Sequence, residues 1–425
     1  FIWVDNMSIS LGNNIMAIKA AIVSIGDELM NGFTVDSNSS WIARNILIYD
    51  TIKICSKVTA GDNSDNIRKI INDLLADRYK YIFITGGLGP THDDITKHTL
   101  CDYFNCALKL NEEYYNELLE LYSNKKSNLV HLKDQAKILD ISKPIKNNFG
   151  TALGMVVKSK QSYIFIMPGV PREMKGMMNN FILPDFFDKR YKKVVNHSTI
   201  LTTGVFESKL SILLKDILKE KTNFKIAFLP SYTGVKIRLS SKSGFDNDRF
   251  LEFKKKIVSK IDKYVYGYDN DKIECVVARL LVQNKLSISI AESCTGGYIS
   301  KILTDISGSS KYFKGSLVTY SNESKENLLN IDNCLLKEHG AVSKQVALNM
   351  AISVKDKFNT DISIATTGIS GPGGGTKNKP VGYICICVIY KKNQIVKEFN
   401  LVKDRLIHRQ VAAHVSLNML RQLIK

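Results

Sequence analysis

The sequence lacks the features of a membrane-spanning or exported protein. None of its apolar runs approaches the roughly 20 residues that cross a bilayer. The first residues, FIWVDNMSISLGNN, do not combine a basic start, an apolar stretch and a small-residue cleavage site, so they are not typical of a signal peptide. We therefore expect a cytoplasmic protein with no membrane partner. Methionine is absent from the first position, whereas Met16 directly precedes a predicted strand, and we expect residues 1–15 to be a disordered extension.

The chain also lacks a cysteine pattern typical of a metal site, and its excess charge is spread thinly. The eight cysteines form no C-x-x-C pair and no zinc-like spacing with histidine, so we interpret them as reduced core thiols. The net charge of +18 is compatible with a nucleic-acid partner. The basic residues form only short clusters, however, such as KRYKK at 189–193, which are typical of a solvated surface. We therefore expect no nucleic-acid partner.

Alternating strand and helix patterns predict an α/β protein with more than one domain. A chain of 425 residues is too long for one core. Strand patterns at 18–26, 79–87 and 162–169 alternate with helical patterns, which predicts a mainly parallel sheet with helices on both faces. From about residue 190 the pattern changes to a small α+β unit, and a second α/β pattern follows the polar link YDNDKIE. We place the three domains at 16–188, 189–268 and 269–425.

Three loops of the first domain carry glycines and polar residues directly after predicted strands. They are SIGDELMNGFTVDSNS (24–39), TGGLGPTHDDITK (85–97) and MPGVPREM (167–174). Parallel sheets bind ligands at the carboxyl ends of their strands, and glycines there let backbone N–H groups approach a phosphate. The glycines expected to bind substrate are Gly86, Gly87 and Gly89.

Acidic residues in two of these loops predict a divalent metal ion. Carboxylates beside a phosphate normally act through a cation, because the anions would otherwise repel each other. The candidate ligands are Asp27, Asp36, Asp93 and Asp94. The alternative is that the glycines form a simple turn and that T-H-D-D caps a helix.

Residues 17–180 resemble the molybdopterin-binding domain of the MoaB/Mog type, and more closely the version of that domain in the CinA family. The resemblance rests on GDELMNGFTVDSNS, GGLGPTHDDITK, NFGTALGM and PGVPREM, in this order. It implies metal-dependent cleavage of ADP-ribose at its pyrophosphate, with Asn38 among the substrate-binding residues. Leu153 departs from the family pattern, which is expected to have proline in the GTA-x-G loop.

The stretch AESCTGG (291–297) places three possible nucleophiles, Ser293, Cys294 and Thr295, between an apolar strand and a helix. N–H groups and the dipole at the start of that helix would stabilise an oxyanion. Cys294 would need a lowered pKa, and no histidine is near in sequence to lower it. Serine would need a general base.

Lys325 is the candidate base for Ser293. It lies in VTYSNESKENLL (318–329), where a strand is predicted to end at Tyr320 and a loop to enter a helix. A lysine kept neutral by burial is a known alternative to histidine, and Tyr320 would orient it or relay the proton. The alternative is a solvated lysine on a helix, which is the commoner case.

A third loop in the last domain, ATTGISGPGGGTKNKPVG (365–382), is dense in glycine. Its backbone N–H groups, with Thr366 and Thr367, are suited to an anion, although the order of residues excludes a P-loop. Lys379, Arg405 and Arg409 are candidates to neutralise a phosphate.

These segments resemble the C-terminal CinA domain. The resemblance rests on AESCTGG, GSSKYFKGSLVTYSNESK, GAVS, the glycine loop and the DR at 404–405. It implies deamidation of nicotinamide mononucleotide to nicotinate mononucleotide and ammonia, without a cofactor. It places the nucleophile at Ser293 and the base at Lys325, assisted by Tyr320 and Thr367. Substrate contacts are expected at Gly296, Gly297, Thr366, Gly373, Gly374, Arg405 and Arg409.

The resemblance also implies a KH-like domain at 189–268 and a homodimer. A KH domain clamps nucleic acid with a G-x-x-G loop, which this segment lacks, so we expect a structural role. Two other functions remain open: a molybdopterin-binding protein of cofactor biosynthesis, and a nucleic-acid-binding protein of competence or DNA damage. The first does not account for the last domain, and no residue pattern supports the second.

Overall fold

The computed structural model describes residues 17–49, 51–122, 129–191, 197–220, 224–241 and 247–425. The expected extension at residues 1–15 lies outside the described residues. These residues form two compact units, which are treated separately below. One unit contains the described residues up to Tyr191 together with Asn247, and the other contains the remaining described residues from His197 onward.

The first unit is built on a six-stranded sheet and a two-stranded ribbon. Its strands are β1 (Ile18–Ile25), β2 (Ile52–Ala60), β3 (Tyr81–Thr85), β4 (Leu108–Leu110), β5 (Lys137–Leu139), β6 (Ser142–Ile145), β7 (Gly154–Ser159) and β8 (Ser162–Met167). The sheet order is β2-β1-β3-β8-β7-β6, in which the first three pairings are parallel and the last two are antiparallel. Every residue of β3 and β8 is buried, as expected for strands covered on both faces.

Helices cover both faces of this sheet. They are α1 (Asp27–Met30), α2 (Ser37–Ile46), α3 (Ser64–Ala76), α4 (Thr96–Phe104), α5 (Glu112–Tyr122), α6 (Leu129–Gln135) and α7 (Pro171–Met177), which continues into a π-helix (Met178–Asp188). Ile67 and Leu100, from α3 and α4, belong to one hydrophobic cluster. Ile42 and Met174, from α2 and α7, belong to another. The two clusters make this a three-layer α/β domain.

The second unit begins with a small α+β domain. Its four strands are β9 (His197–Thr202), β10 (Phe224–Ser231), β11 (Gly234–Ser241) and β12 (Val265–Tyr268), in the antiparallel order β10-β11-β9-β12. Its helices are α8 (Glu207–Leu213), α9 (Lys215–Lys219) and α10 (Asn247–Ile261). Phe250, Phe253 and Ile257 of α10 are buried in the domain's own hydrophobic cluster.

The rest of this unit is built on a five-stranded sheet. Its strands are β13 (Ile288–Glu292), β14 (Phe313–Val318), β15 (Ile362–Gly368), β16 (Tyr383–Tyr390) and β17 (Asn393–Asn400), in the order β14-β13-β15-β16-β17. The pairings of β13 with β14 and β15 are parallel, whereas β15-β16 and β16-β17 are antiparallel. The three parallel strands therefore end at the same edge.

Helices also cover both faces of the five-stranded sheet. They are α11 (Ile273–Gln283), α12 (Tyr298–Thr304), α13 (Asn322–Leu329), α14 (Asn333–His339), α15 (Lys344–Phe358) and α16 (Arg405–Ile424). Val277 and Leu417 lie in the cluster on one face, and Val346 and Met350 lie in the cluster on the other. The predicted fold class, two α/β domains and a small α+β domain, is confirmed. No helix in the described part of the chain is both long and apolar enough to cross a membrane.

Candidate active sites

Ser293 and Lys325 meet at the edge where β13, β14 and β15 end. Ser293 directly follows β13, and Lys325 lies on α13, four residues after the helix's N-cap residue Ser321. The Lys325 Nζ atom lies 3.3 Å from the Ser293 Oγ atom. The structure therefore brings the predicted nucleophile and the predicted base within hydrogen-bonding distance.

Lys325 is an unusually buried lysine. Only 1% of its surface is exposed, and its Nζ atom donates to the carbonyl oxygens of Thr319 at 3.0 Å, Tyr320 at 3.3 Å and Ser321 at 3.4 Å. Burial lowers the pKa of the Lys325 ammonium below its ordinary value, because the charged form loses its hydration. A neutral amine has two N–H groups for these carbonyls and one lone pair, which is the group that would accept the Ser293 proton.

The turn after Ser293 is held by backbone and side-chain hydrogen bonds. The Ser293 N–H donates to the Thr366 carbonyl at 3.0 Å, and the Gly296 N–H donates to the Ser293 carbonyl at 3.1 Å. Gly297 has a φ of +88°, which favours glycine at the start of α12. This turn fixes the Ser293 backbone against β15.

The start of α12 differs from the expectation of free oxyanion donors. The Glu292 carboxylate accepts the N–H groups of Ile299 at 3.2 Å and Ser300 at 2.9 Å. Those two donors are therefore used within the protein. Within the turn, the N–H groups of Ser293 and Gly296 have backbone acceptors, and those of Cys294, Thr295 and Gly297 have none among the described residues, so these three are the remaining candidates for an oxyanion.

Cys294 is part of the core. It is 5% exposed and belongs to the hydrophobic cluster that also contains residues of α11 and α16. Burial raises the pKa of its thiol to about 12, so the thiolate is not available near neutral pH. Its position agrees with the interpretation of Cys294 as a core thiol, an interpretation that is wrong for the exposed Cys55 and Cys334.

The hydroxyl groups of the other predicted catalytic residues have partners of their own. The Thr367 hydroxyl donates to the Ala341 carbonyl at 2.7 Å. The Tyr320 hydroxyl accepts from Arg405 Nη2 at 2.9 Å, so Tyr320 contacts Lys325 through its carbonyl group instead. The Thr366 hydroxyl is 2.8 Å from that of Thr295. The Tyr320 carbonyl therefore helps to orient Lys325, and a proton relay through the Tyr320 hydroxyl stays a prediction.

The predicted phosphate-binding residues surround the same edge of the sheet. Arg405 Nη1 donates to the Gly371 carbonyl at 2.8 Å, and Arg409 Nε donates to the Thr295 carbonyl at 3.0 Å. Gly373 and Gly374 lie in the exposed part of the glycine loop. Arginine groups from α16 are thus fixed beside both the serine turn and the glycine loop, where an anionic substrate group would be neutralised.

In the first unit, Asn38 connects the three predicted loops. Its Nδ2 atom donates to the Thr85 hydroxyl at 3.0 Å and to the Gly169 carbonyl at 2.7 Å. Asn38 is 7% exposed, and its Oδ1 atom has no hydrogen-bond partner in the described part of the chain. A buried acceptor without a partner is costly, so this atom is a candidate contact for a ligand N–H group.

The glycine loop of the first unit lies very close to neighbouring backbone. A Cβ atom at Gly86, where φ is +115°, would lie 2.0 Å from the Ile25 carbonyl oxygen. Gly87 and Gly89 are similarly restricted, by the side chains of Thr96 and Asp94. The loop therefore requires glycine for its close approach to β1.

The four predicted metal ligands do not form a ligand set. Asp36 caps α2 through the Ser39 N–H, and hydrogen bonds from Ser39 and Ser24 outweigh burial and lower the pKa of its carboxyl group. Asp94 accepts from the N–H and hydroxyl groups of Thr91. Among the residues that the structure describes, no three His, Cys, Asp or Glu side chains are grouped to hold a metal ion.

Two charged residues near these loops were not predicted from the sequence. Asp62 exchanges backbone-to-side-chain hydrogen bonds with Asp27, and burial raises the pKa of its carboxyl group, to which the charges of Asp27, Glu28 and Asp94 add. Lys97 is 6% exposed and donates to the Asp134 carbonyl at 2.8 Å. Burial lowers the pKa of its ammonium to about 8.

Comparison with known families covers nearly the whole chain. A probable molybdopterin binding domain matches residues 21–187, a damage-inducible protein CinA KH domain matches 197–267, and a CinA C-terminal domain matches 270–424. The three matches follow one another in the order of the three folded domains. They define a protein in which a MoaB/Mog-like domain and a CinA C-terminal domain flank a KH domain.

Similar proteins extend over the same length. A CinA-like protein of Flavobacterium psychrophilum is 38% identical over 91% of this chain and 94% of its own length. A putative competence-damage inducible protein of Clostridioides difficile is 36% identical over 95% of this chain and 99% of its own length. The chain therefore belongs to the CinA family.

Solved structures match single parts of the chain. The competence/damage inducible protein CihA from Agrobacterium tumefaciens is 34% identical, with a TM-score of 0.35, over 36% of this chain and 98% of that protein. The protein CinA with unknown function from Thermoplasma acidophilum is 27% identical, with a TM-score of 0.36, over 40% of this chain and 98% of that protein.

Proposed function

We propose that the C-terminal domain is a serine amidohydrolase that deamidates nicotinamide mononucleotide. The observation that carries the proposal is the distance of 3.3 Å between Ser293 Oγ and the Nζ atom of Lys325, whose pKa burial lowers. A buried neutral lysine beside a serine is an activated nucleophile with its base.

The reaction proceeds through an ester on Ser293. Ser293 Oγ attacks the carboxamide carbon of the nicotinamide ring, and its proton passes to Lys325 Nζ. The tetrahedral intermediate collapses, and ammonia leaves with the proton from Lys325. Water then attacks the ester while Lys325 accepts its proton, which releases nicotinate mononucleotide and restores Ser293.

Arg405 and Arg409 supply the recognition of the nucleotide phosphate. Both guanidinium groups are already fixed by backbone carbonyl groups, so little side-chain entropy is lost when the phosphate binds. The exposed glycine loop presents further N–H groups on the same side.

Ammonia release from nicotinamide mononucleotide, in excess chelator, tests this function. We expect release to persist in chelator, because Ser293 and Lys325 supply the nucleophile and the base. Nicotinamide riboside, which lacks the phosphate, serves as the matched substrate. The kcat/KM for nicotinamide riboside should be lower than that for nicotinamide mononucleotide by about tenfold to hundredfold. This factor corresponds to the loss of about one or two charge-assisted hydrogen bonds to the phosphate. No ammonia from either compound would contradict the proposal.

We further infer that the N-terminal domain cleaves ADP-ribose at its pyrophosphate. The observation that favours this activity is the unpartnered Asn38 Oδ1 atom, buried where the three loops meet. A nucleotide offers N–H groups to this acceptor, and the glycine loop offers backbone to its phosphates. The divalent metal ion expected here stays a prediction, and no step is assigned to it.

Formation of AMP from ADP-ribose, with and without added magnesium, manganese or cobalt, tests the second activity. Asn38→Ala should lower kcat/KM by about tenfold or more, because the variant loses a contact and the link between the loops. The absence of AMP under all of these conditions would contradict the second proposal and leave the first intact.

A further inference from the structure

Glu292, directly before the candidate nucleophile, is a fully buried carboxylate. It is 0% exposed, and its oxygen atoms accept the N–H groups of Ile299 at 3.2 Å and Ser300 at 2.9 Å and the Ser300 hydroxyl at 2.5 Å. Burial of a carboxylate is unfavourable unless hydrogen bonds and opposite charge compensate it. The positive end of α12 and the three donors supply that compensation.

The backbone of Glu292 is connected to the candidate base. Its carbonyl oxygen accepts the Thr319 N–H at 2.8 Å, and the Thr319 carbonyl accepts from Lys325 Nζ at 3.0 Å. Its peptide bond leads directly to Ser293. One residue therefore contacts the turn that carries the nucleophile and, through Thr319, the group that orients the base.

The side chain of Glu292 fixes the far end of the serine turn. The turn runs from Ser293 to Gly297, and its near end is held by the Ser293 N–H on the Thr366 carbonyl. Its far end is held where Ile299 and Ser300 donate to Glu292. Without the carboxylate, the N–H groups of Ile299 and Ser300 would lose their acceptor, and the turn would depend on its contacts at Ser293 and, through Thr366 and Arg409, at Thr295.

We propose that Glu292 is the positioning residue of the Ser293–Lys325 pair, an inference that rests on the proposed serine amidohydrolase. Its carboxylate anchors α12 so that Ser293 Oγ stays within reach of Lys325 Nζ. Glu292 is not the base for Ser293, and because it is fully buried it does not contact the substrate. The inference holds for whichever amide the serine attacks.

Covalent labelling of Ser293 by a serine-directed fluorophosphonate tests this role without the physiological substrate. The labelling rate is measured by intact-protein mass spectrometry and divided by the folded fraction of each variant. Glu292→Gln keeps the size of the side chain but replaces the carboxylate with a neutral amide. We expect labelling to slow by about tenfold to hundredfold, since small displacements of a nucleophile have effects of this size. The kcat value for ammonia release should fall by a similar factor with KM unchanged.

Asp361→Asn is the matched control. The Asp361 carboxylate also accepts hydrogen bonds from a backbone N–H and a hydroxyl group, both of Ser287. Asp361 lies in the same domain as Glu292 but directly before β15, whereas the candidate site lies where β15 ends. This variant should label at the wild-type rate. The pH midpoint of labelling should be the same in Glu292→Gln as in wild type, because the surroundings of Lys325 are retained.

A purely structural role predicts a different result. Glu292→Gln would then have a lower melting temperature but label at the wild-type rate per folded molecule, which would overturn the proposal. If Glu292→Gln does not fold, Ser300→Ala removes one donor from the same carboxylate and should slow labelling about threefold; a wild-type rate would overturn the proposal. Labelling of Ser293 without ammonia release would refute the proposed substrate but still decide the role of Glu292.

Discussion

At the scale of single residues, catalysis depends on the protonation of Lys325. A protonated lysine cannot accept the Ser293 proton, so activity should be low below the pKa of Lys325 and rise as pH increases through it. Because burial lowers that pKa, the rise should occur below the ordinary lysine value of 10.5. The measurement is kcat/KM for deamidation as a function of pH.

Lys325→Arg is the variant that isolates this requirement. Arginine stays protonated near neutral pH and cannot accept the Ser293 proton, so kcat should fall by about a hundredfold or more, the usual size of general-base catalysis. Lys344→Arg, a lysine that pairs with Glu398 on the surface of the same domain, is the control and should have the wild-type rate. An active Lys325→Arg variant would remove the lysine from the mechanism.

At the scale of secondary-structure elements, α16 joins the candidate site to the small α+β domain. Arg405 and Arg409 lie in its first turns, whereas His414 and Arg421 lie further along. His414 Nε2 is 3.1 Å from the Thr203 hydroxyl, and Arg421 Nη1 donates to the Val265 carbonyl at 3.1 Å. One helix therefore connects two domains of the second unit.

His414 makes this connection sensitive to acid. Burial, with the charge of Arg421, lowers the pKa of the His414 imidazole from 6.5 to about 4. The unfolded chain binds the proton first, so stability from this residue is present above about pH 6.5 and is lost as pH falls towards 4. The loss amounts to about 3 kcal/mol.

Unfolding free energy of wild type and His414→Gln, measured between pH 4 and 7, checks this expectation. The variant has no imidazole to protonate, so its stability should vary less over this range, by up to about 3 kcal/mol. Identical pH dependence in the two proteins would show that His414 is not buried in its neutral form.

Elements with a uniform pattern were predictable from the sequence, and mixed ones were not. The apolar strands β1, β3 and β8 lie within about two residues of the strand patterns predicted at 18–26, 79–87 and 162–169. The edge strand β2, IKICSKVTA, alternates apolar and polar residues and was missed, as was β7, which follows the GTALG loop. An edge strand is half exposed, so its sequence has no continuous apolar run.

The same distinction applies to the site residues. Ser293 and Lys325 became candidates because each follows a predicted strand, and the resemblance to the C-terminal CinA domain supplied their predicted roles. Glu292 was not a candidate, because no role can be predicted for a carboxylate at the end of an apolar strand until its hydrogen-bond partners on α12 are known. Thr319 acts through its carbonyl group, which every residue has, so no sequence pattern could have indicated it.

At the scale of the whole molecule, the two α/β domains have separate hydrophobic clusters. Among the described residues, the buried members of each cluster come from one domain. We therefore expect Ser293→Ala to form AMP from ADP-ribose at the wild-type rate, and Asn38→Ala to release ammonia at the wild-type rate. Both assays on both variants check this independence. Loss of both activities in either single variant would contradict it.

The measurement that tests the central claim most directly compares Ser293→Ala with Cys294→Ala in ammonia release from nicotinamide mononucleotide. The two residues are neighbours in one turn, but Ser293 Oγ is the one hydrogen-bonded to Lys325 Nζ, whereas the Cys294 thiol is buried with its pKa raised to about 12. We predict that Ser293→Ala releases no ammonia while Cys294→Ala keeps activity within about threefold of wild type. Release by Ser293→Ala at the wild-type rate would contradict the assignment of Ser293 as the nucleophile.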